Sequence, residues 1–145
     1  MLSQQRLKSS GKVVYDPNRS TMKKRTKWWC VLNVDREITR YYRWWVKRKY
    51  HIDLCQPSWD AHVSIIRGEK PEPELMHLWK KYEGQILNFE YSPVVYQGSG
   101  ETRFQDARYF WFVDVVCPEI IDIRKELNRP VDFGLHLTIG RTYYI

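Results

Sequence analysis

His62-Val63-Ser64-Ile65-Ile66-Arg67 and His136-Leu137-Thr138-Ile139-Gly140-Arg141 share one pattern: a histidine, an apolar residue, a hydroxyl residue, isoleucine, any residue, then arginine. Both read as β-strands, over 61–66 and 135–140, rich in the β-branched residues that strands favour. Side chains alternate across a strand, so His62 and Ser64 share one face, as do His136 and Thr138. Val63, Ile65, Leu137 and Ile139 point the other way, toward a core. Each strand thereby presents an imidazole and a hydroxyl about 6.7 Å apart along the chain. A histidine trailed by apolar, hydroxyl and apolar residues arises by chance for roughly 2% of histidines at this composition. Two hits among four histidines therefore mark a pair with a shared task. His51 and His77 lie outside the pattern and read as structural.

Working outward, the run 28–34 (WWCVLNV) reads as a strand, and Asp35 as the N-cap of a helix to about residue 50. On that helix Ile38, Tyr41, Tyr42, Trp45 and Val46 line one side, while Arg36, Arg40, Arg43 and Lys47 read as a solvated opposite face. A helix is expected over 73–83, with a proline in its first turn and Gly84 past its end. Strands come next at 86–91 and 93–97, then a polar loop over 98–106 and a strand over 109–116. Pro118 opens a last helix to about residue 128, before Pro130. The expected order is β-α-β-α-β-β-β-α-β: an α+β domain, mostly antiparallel, with helices packed on a sheet.

The chain has 145 residues, enough for one ordinary domain. No apolar run is long enough to span a membrane as a helix, and the N-terminal sequence does not read as a secretory signal. Cys30, Cys55 and Cys117 are odd in number and form no CxxC, so neither a disulfide framework nor a zinc knuckle is expected, and the cytoplasm is the expected setting. The net charge of +7 is concentrated in residues 1–27, where eight basic residues meet one acid, Asp16. Residues 28–145 are balanced. The division read from this is a basic arm or lid over 1–27 and a single domain over 28–145, with Lys12 to Tyr15 forming a short strand. The arm is either a solubilising tail or a contact for a polyanion such as RNA.

Two imidazoles on one cleft suit acid–base chemistry on a phosphodiester, because a pKa near 6.5 lets one be neutral while the other is protonated. One takes the proton of the attacking oxygen and the other supplies a proton to the departing oxygen. Ser64 and Thr138 are placed to donate to non-bridging phosphate oxygens. The acids are scattered and there is no HExxH, so no metal or other cofactor is expected.

The motifs HVSI and HLTI, 74 positions apart, resemble the signature of the 2H phosphoesterase superfamily, and the order of elements from Trp28 to Arg141 is similar to theirs. The resemblance implies a two-lobed, pseudo-symmetric fold with one motif per lobe facing a central groove. It also implies metal-independent cleavage of ribonucleotide phosphodiesters: 2′,3′-cyclic phosphates or the 3′–5′ links of cyclic oligonucleotides. His62 and His136 would form the catalytic pair, and Ser64 and Thr138 the phosphate-holding pair. The short chain is similar to compact phage-encoded members, including those that destroy the cyclic oligonucleotide signals of the host's CBASS defence in the host cytoplasm.

Arg67 and Arg141 are candidate phosphate contacts. Strict alternation sends them to the wrong face, unless the strands end there and Gly140 lets Arg141 turn back. Tyr15, Tyr143 and Tyr144 flank the arm and the last motif as candidate base-stacking residues. The rival reading is a non-catalytic RNA-binding module that uses the arm and exposed aromatics, with both histidines structural.

Overall fold

A computed structural model describes residues 5–18, 26–56, 59–99, 109–132 and 134–142. The elements in chain order are β1 (Leu7–Tyr15), β2 (Trp29–Val34), α1 (Arg36–Tyr50), β3 (His62–Arg67), a 3-10 helix (Pro73–Leu78), β4 (Ile86–Tyr91), β5 (Tyr96–Ser99), β6 (Tyr109–Val116), α2 (Pro118–Glu126) and β7 (Leu135–Thr142). The strands pair antiparallel in the order β4-β1-β2-β3-β7-β6-β5. A further pairing of β4 with β6 closes six of them into a barrel and leaves β5 appended to β6. Closure gives β4 a partner along an edge that would otherwise invite pairing with other chains, and β5 remains the edge strand.

Alternate residues fill the interior. Val13, Leu32, Val63, Val113, Leu137 and Ile139 are fully buried in one cluster, joined by Tyr42 and Val46 of α1 and Ile120 and Ile123 of α2. Burying each such side chain contributes about 1.5–3 kcal/mol. The Asp35 carboxylate caps α1 by accepting from the Glu37 N–H at 2.9 Å, and Lys47, Arg48 and Lys49 lie in its last turn, where cations favour the helix dipole. Pro118 starts α2 without losing a needed N–H. No helix among the described residues is long and apolar enough to cross a membrane.

The two β-α-β units, β2-α1-β3 and β6-α2-β7, repeat one arrangement with helices and loops of different length. Thr39, Tyr42 and Val46 of α1 are buried, and so, 81 positions on, are Ile120, Ile123 and Leu127. Val63 of β3 faces Leu137 of β7, 74 positions on, where those strands pair. A local two-fold axis between these two residues exchanges His62 with His136 and Ser64 with Thr138.

Several expectations differ from the observed fold. The α+β class and the antiparallel sheet are as expected, but closure into a barrel was not, and one continuous barrel wall contains both motifs. The region 73–83 is a short 3-10 helix with turns continuing to Gly84. The strand expected at 93–97 lies at Tyr96–Ser99. The expected arm is the largest difference: residues 7–15 form a nine-residue strand between β2 and β4. A boundary at residue 27 therefore cuts through the domain, because Val13 and Tyr15 supply core while Lys8 and Lys12 take the exposed positions of the same strand. Arg19, Lys23, Lys24 and Arg25 lie outside the described residues.

Candidate active site

With Val63 opposite Leu137, alternation places His62 across from Thr138 and Ser64 across from His136. The four side chains form one compact group on the face turned away from the core, all half-buried, while Val63, Ile65, Leu137 and Ile139 are buried behind them. The two histidines are diagonal neighbours, a relationship that spans about 7–8 Å in antiparallel pairs. A single phosphate fits between groups at that spacing.

Both motif strands carry a β-bulge at the same place. Val31 faces Ser64 but Cys30 faces Ile66, so Ile65 is an extra residue. Likewise Phe112 faces Thr138 but Trp111 faces Gly140, so Ile139 is extra. A bulge turns two consecutive side chains to one side and reverses the alternation of the residues after it. Ile65 and Ile66 are accordingly both buried, and Arg67 and Arg141 return to the histidine face. The bulge, not glycine freedom, turns Arg141. Gly140 matters for room: a Cβ there would lie 2.7 Å from Leu54 Cβ. Arg141 Nε is buried without a hydrogen-bond partner among the described residues.

The imidazoles are held alike. His62 Nδ1 lies 2.7 Å from the Asp60 carbonyl oxygen; a carbonyl can only accept, so Nδ1 carries the proton. The backbone of Gly134, also two residues earlier, favours the protonated ring of His136. Trp59 stacks on His62 with ring centroids 4.5 Å apart, and Phe112 meets His136 edge-on at 5.5 Å. Burial pushes the His136 imidazole below its ordinary pKa, and the Arg67 guanidinium pushes it further; the Gly134 backbone and Asp114 oppose this without cancelling it. His136 is thus biased toward its neutral form.

Two cavities flank this group, and Thr138 lines both. On the His136 side, Gly98, Phe110 and Phe112 enclose about 300 Å³. On the other side, about 230 Å³ lies among Arg36, Arg40, Arg43, Trp59 and Asp60. A larger hollow of about 680 Å³ between β1, β4 and the start of α2 shares no residue with the motif face.

Tyr15 is not available for stacking. It is 2% exposed and packs edge-on against Trp79 at 4.9 Å inside the core. Tyr143 and Tyr144 lie outside the described residues. Phe110, which reads as core from sequence, lines the cavity beside His136 with Phe112 and Gly98, a placement set by cross-strand register that no local sequence pattern signals. Arg36 and Arg40 of α1 are exposed, as a solvated face requires, and with Arg43 they also line the second cavity. Comparisons with protein-family models, curated proteins and solved structures find no match.

Proposed function

We propose that the protein is a phosphodiesterase of the 2H type acting on ribonucleotides by two-histidine acid–base catalysis without a metal ion. The observation that carries this reading is the Val63–Leu137 register, which sets two imidazoles and two hydroxyls on one solvent-reaching face. His136, biased to neutrality, is the base. It takes the proton of a ribose 2′-hydroxyl, whose oxygen forms a bond to phosphorus. His62, its Nδ1 held by Asp60, protonates the 5′-oxygen as its bond to phosphorus breaks. The products are a 2′,3′-cyclic phosphate and a free 5′-hydroxyl; water then opens the ring with the two roles exchanged. Ser64, Thr138, Arg67 and Arg141 donate to the non-bridging oxygens, where negative charge grows.

The equivalence of the two β-α-β units supports the family reading, with both halves merged in one barrel, and a compact phage-type member acting on cyclic oligonucleotides is the narrower form of that reading. The alternative, a non-catalytic RNA-binding module, draws on the cations and exposed Tyr41 and Trp44 of α1. Incubation in EDTA with 2′,3′-cyclic nucleotides, linear oligoribonucleotides and cyclic di- and trinucleotides, read by mass spectrometry, separates the two. Cleavage of at least one member is expected. Binding with no product, or cleavage only with an added divalent ion, would count against the enzymatic mechanism.

A further inference from the structure

We propose that Trp59 is a positioning residue for the reaction: its indole face holds the His62 ring in place and favours the protonated, proton-donating form of that imidazole. This rests on the reading of His62 as the acid and adds the group that equips it for the role. His62 opens β3, and Trp59 lies three residues earlier. The two rings are tilted by 32° with centroids 4.5 Å apart, an offset stack. A cation within about 6 Å of an indole face is attracted by the negative charge of the π-system. Asp60, through its carbonyl oxygen, holds the same imidazole by its edge at Nδ1, 2.7 Å away. Edge and face together fix the ring, and the proton it gives away is the one on Nε2. Trp59 is itself held: it is 8% exposed and packs on Trp29 at 5.2 Å. Trp29 in turn lies against Gly68, where a Cβ would come 3.0 Å from Nε1 of the indole.

The charges around His62 do not favour a cation. From α1, Arg36, Arg40 and Arg43 line the cavity that Trp59 and Asp60 share, together with Glu37 of the same helix; Arg36 pairs with Asp60 at 2.9 Å. Arg67 of β3, and Arg141 and His136 of β7, share the motif face. From β2 the neutral Asn33 lies opposite His62, whereas Asp114 of β6 lies opposite His136. Arginines outnumber carboxylates about His62, and a surplus of positive charge works against a further proton. A neutral group that attracts a cation is what an acid at this place requires, and the indole face is one. The other half differs: the Phe112 ring meets His136 at 62° and 5.5 Å, and His136 is held toward neutrality. The aromatic that each imidazole meets thus helps to separate the acid from the base.

The test is an NMR titration of the histidine side chains in the whole protein, without substrate. Trp59→Leu keeps apolar cover over His62 and removes the π face, and should lower the His62 midpoint by about one pH unit. Trp59→Phe, which keeps a smaller face, should fall in between. Growth on 5-fluorotryptophan draws charge from the indoles with little change of shape; it should lower the midpoint in the same direction and keeps the test open if a variant fails to fold. His136, whose ring contact is Phe112, should titrate as in the wild type throughout. The alkaline limb of kcat/KM for oligoribonucleotide cleavage should move down with the His62 midpoint. A tryptophan that merely buries His62 disfavours the cation, so its loss would raise the midpoint. A raised or unmoved midpoint, or an alkaline limb that stays in place while the midpoint falls, overturns the inference and leaves the phosphodiesterase reading intact. A lowered midpoint with no turnover of any substrate removes that reading while upholding the hold of Trp59 on the cation.

Discussion

Arg124 donates from Nη1 to the main-chain oxygen of Ile65 at 2.8 Å. Its counterpart in the other half, Arg43, donates to Ile139 at 3.0 Å. These isoleucines are the extra residues of the two bulges, so each helix braces the irregularity in the other half's motif strand. A local defect that aims Arg67 and Arg141 is thereby held by groups far away in sequence.

Arg124→Ala should destabilise the fold by about 3–5 kcal/mol, because it strips partners from Ile65, Pro130 and Glu69 around a side chain that is 2% exposed. Arg124→Lys should recover little, since a point charge cannot replace the guanidinium fork. Urea unfolding checks this, and a loss below about 1 kcal/mol would contradict the brace.

Burial alone would raise the Glu69 carboxyl, but the hydrogen bonds from Arg124 and the Arg67 N–H bring it below its ordinary value. Its contribution to stability is thus present above the unfolded carboxylate value and is lost as pH falls through the lowered folded one. Thermal melts across the acid range should show Glu69→Gln flattening this dependence. A slope identical to that of the wild type would remove Glu69 from the acid transition.

For His136 the sign runs through catalysis. A base must be neutral, and its lowered pKa keeps it so below the ordinary histidine value of about 6.5. The acid limb of kcat/KM should have its midpoint under that value. Arg67→Gln removes a repelling charge and should move the limb to higher pH, whereas Asp114→Asn should move it lower. Shifts in the opposite directions would dismiss His136 as the base.

Much of the site was legible because period-two alternation survives in HVSI and HLTI, and both strands lie within two residues of their expected bounds. Arg67 and Arg141 could be named but not aimed, since a bulge leaves no mark in residue type and strict alternation sends them to the core side. The match of β2 with β6 was invisible: WCVLNV and FWFVDV share little beyond an apolar pattern. Of strand β1 only the end, Lys12 to Tyr15, was legible; its start was hidden by Lys8 and the polar residues Ser9 and Ser10, which carry no apolar alternation. Closure depends on the pairing of Glu90 and Tyr91 with Val116 and Val115, a long-range contact that no local pattern announces.

Tyr15 separates core from site. Tyr15→Ala should cost about 3–5 kcal/mol, as removal of a buried ring does, while leaving nucleotide affinity of the folded fraction unchanged. Weakened affinity with unchanged stability would restore Tyr15 as a base-stacking residue.

Thr138→Val keeps the side-chain volume and removes the donor. It should lower kcat by about 10²–10³, with Thr138→Ser recovering most of the loss. Full activity in the valine variant would free the phosphate site from this hydroxyl.

The most direct measurement is the single-turnover rate, in EDTA, of His62→Ala and His136→Ala on the best oligoribonucleotide. Each replacement should slow cleavage by about 10²–10⁴, with the double variant scarcely slower than the worse single one and with both variants still folded and still binding. Cleavage at the wild-type rate after loss of either imidazole would contradict the two-histidine mechanism outright.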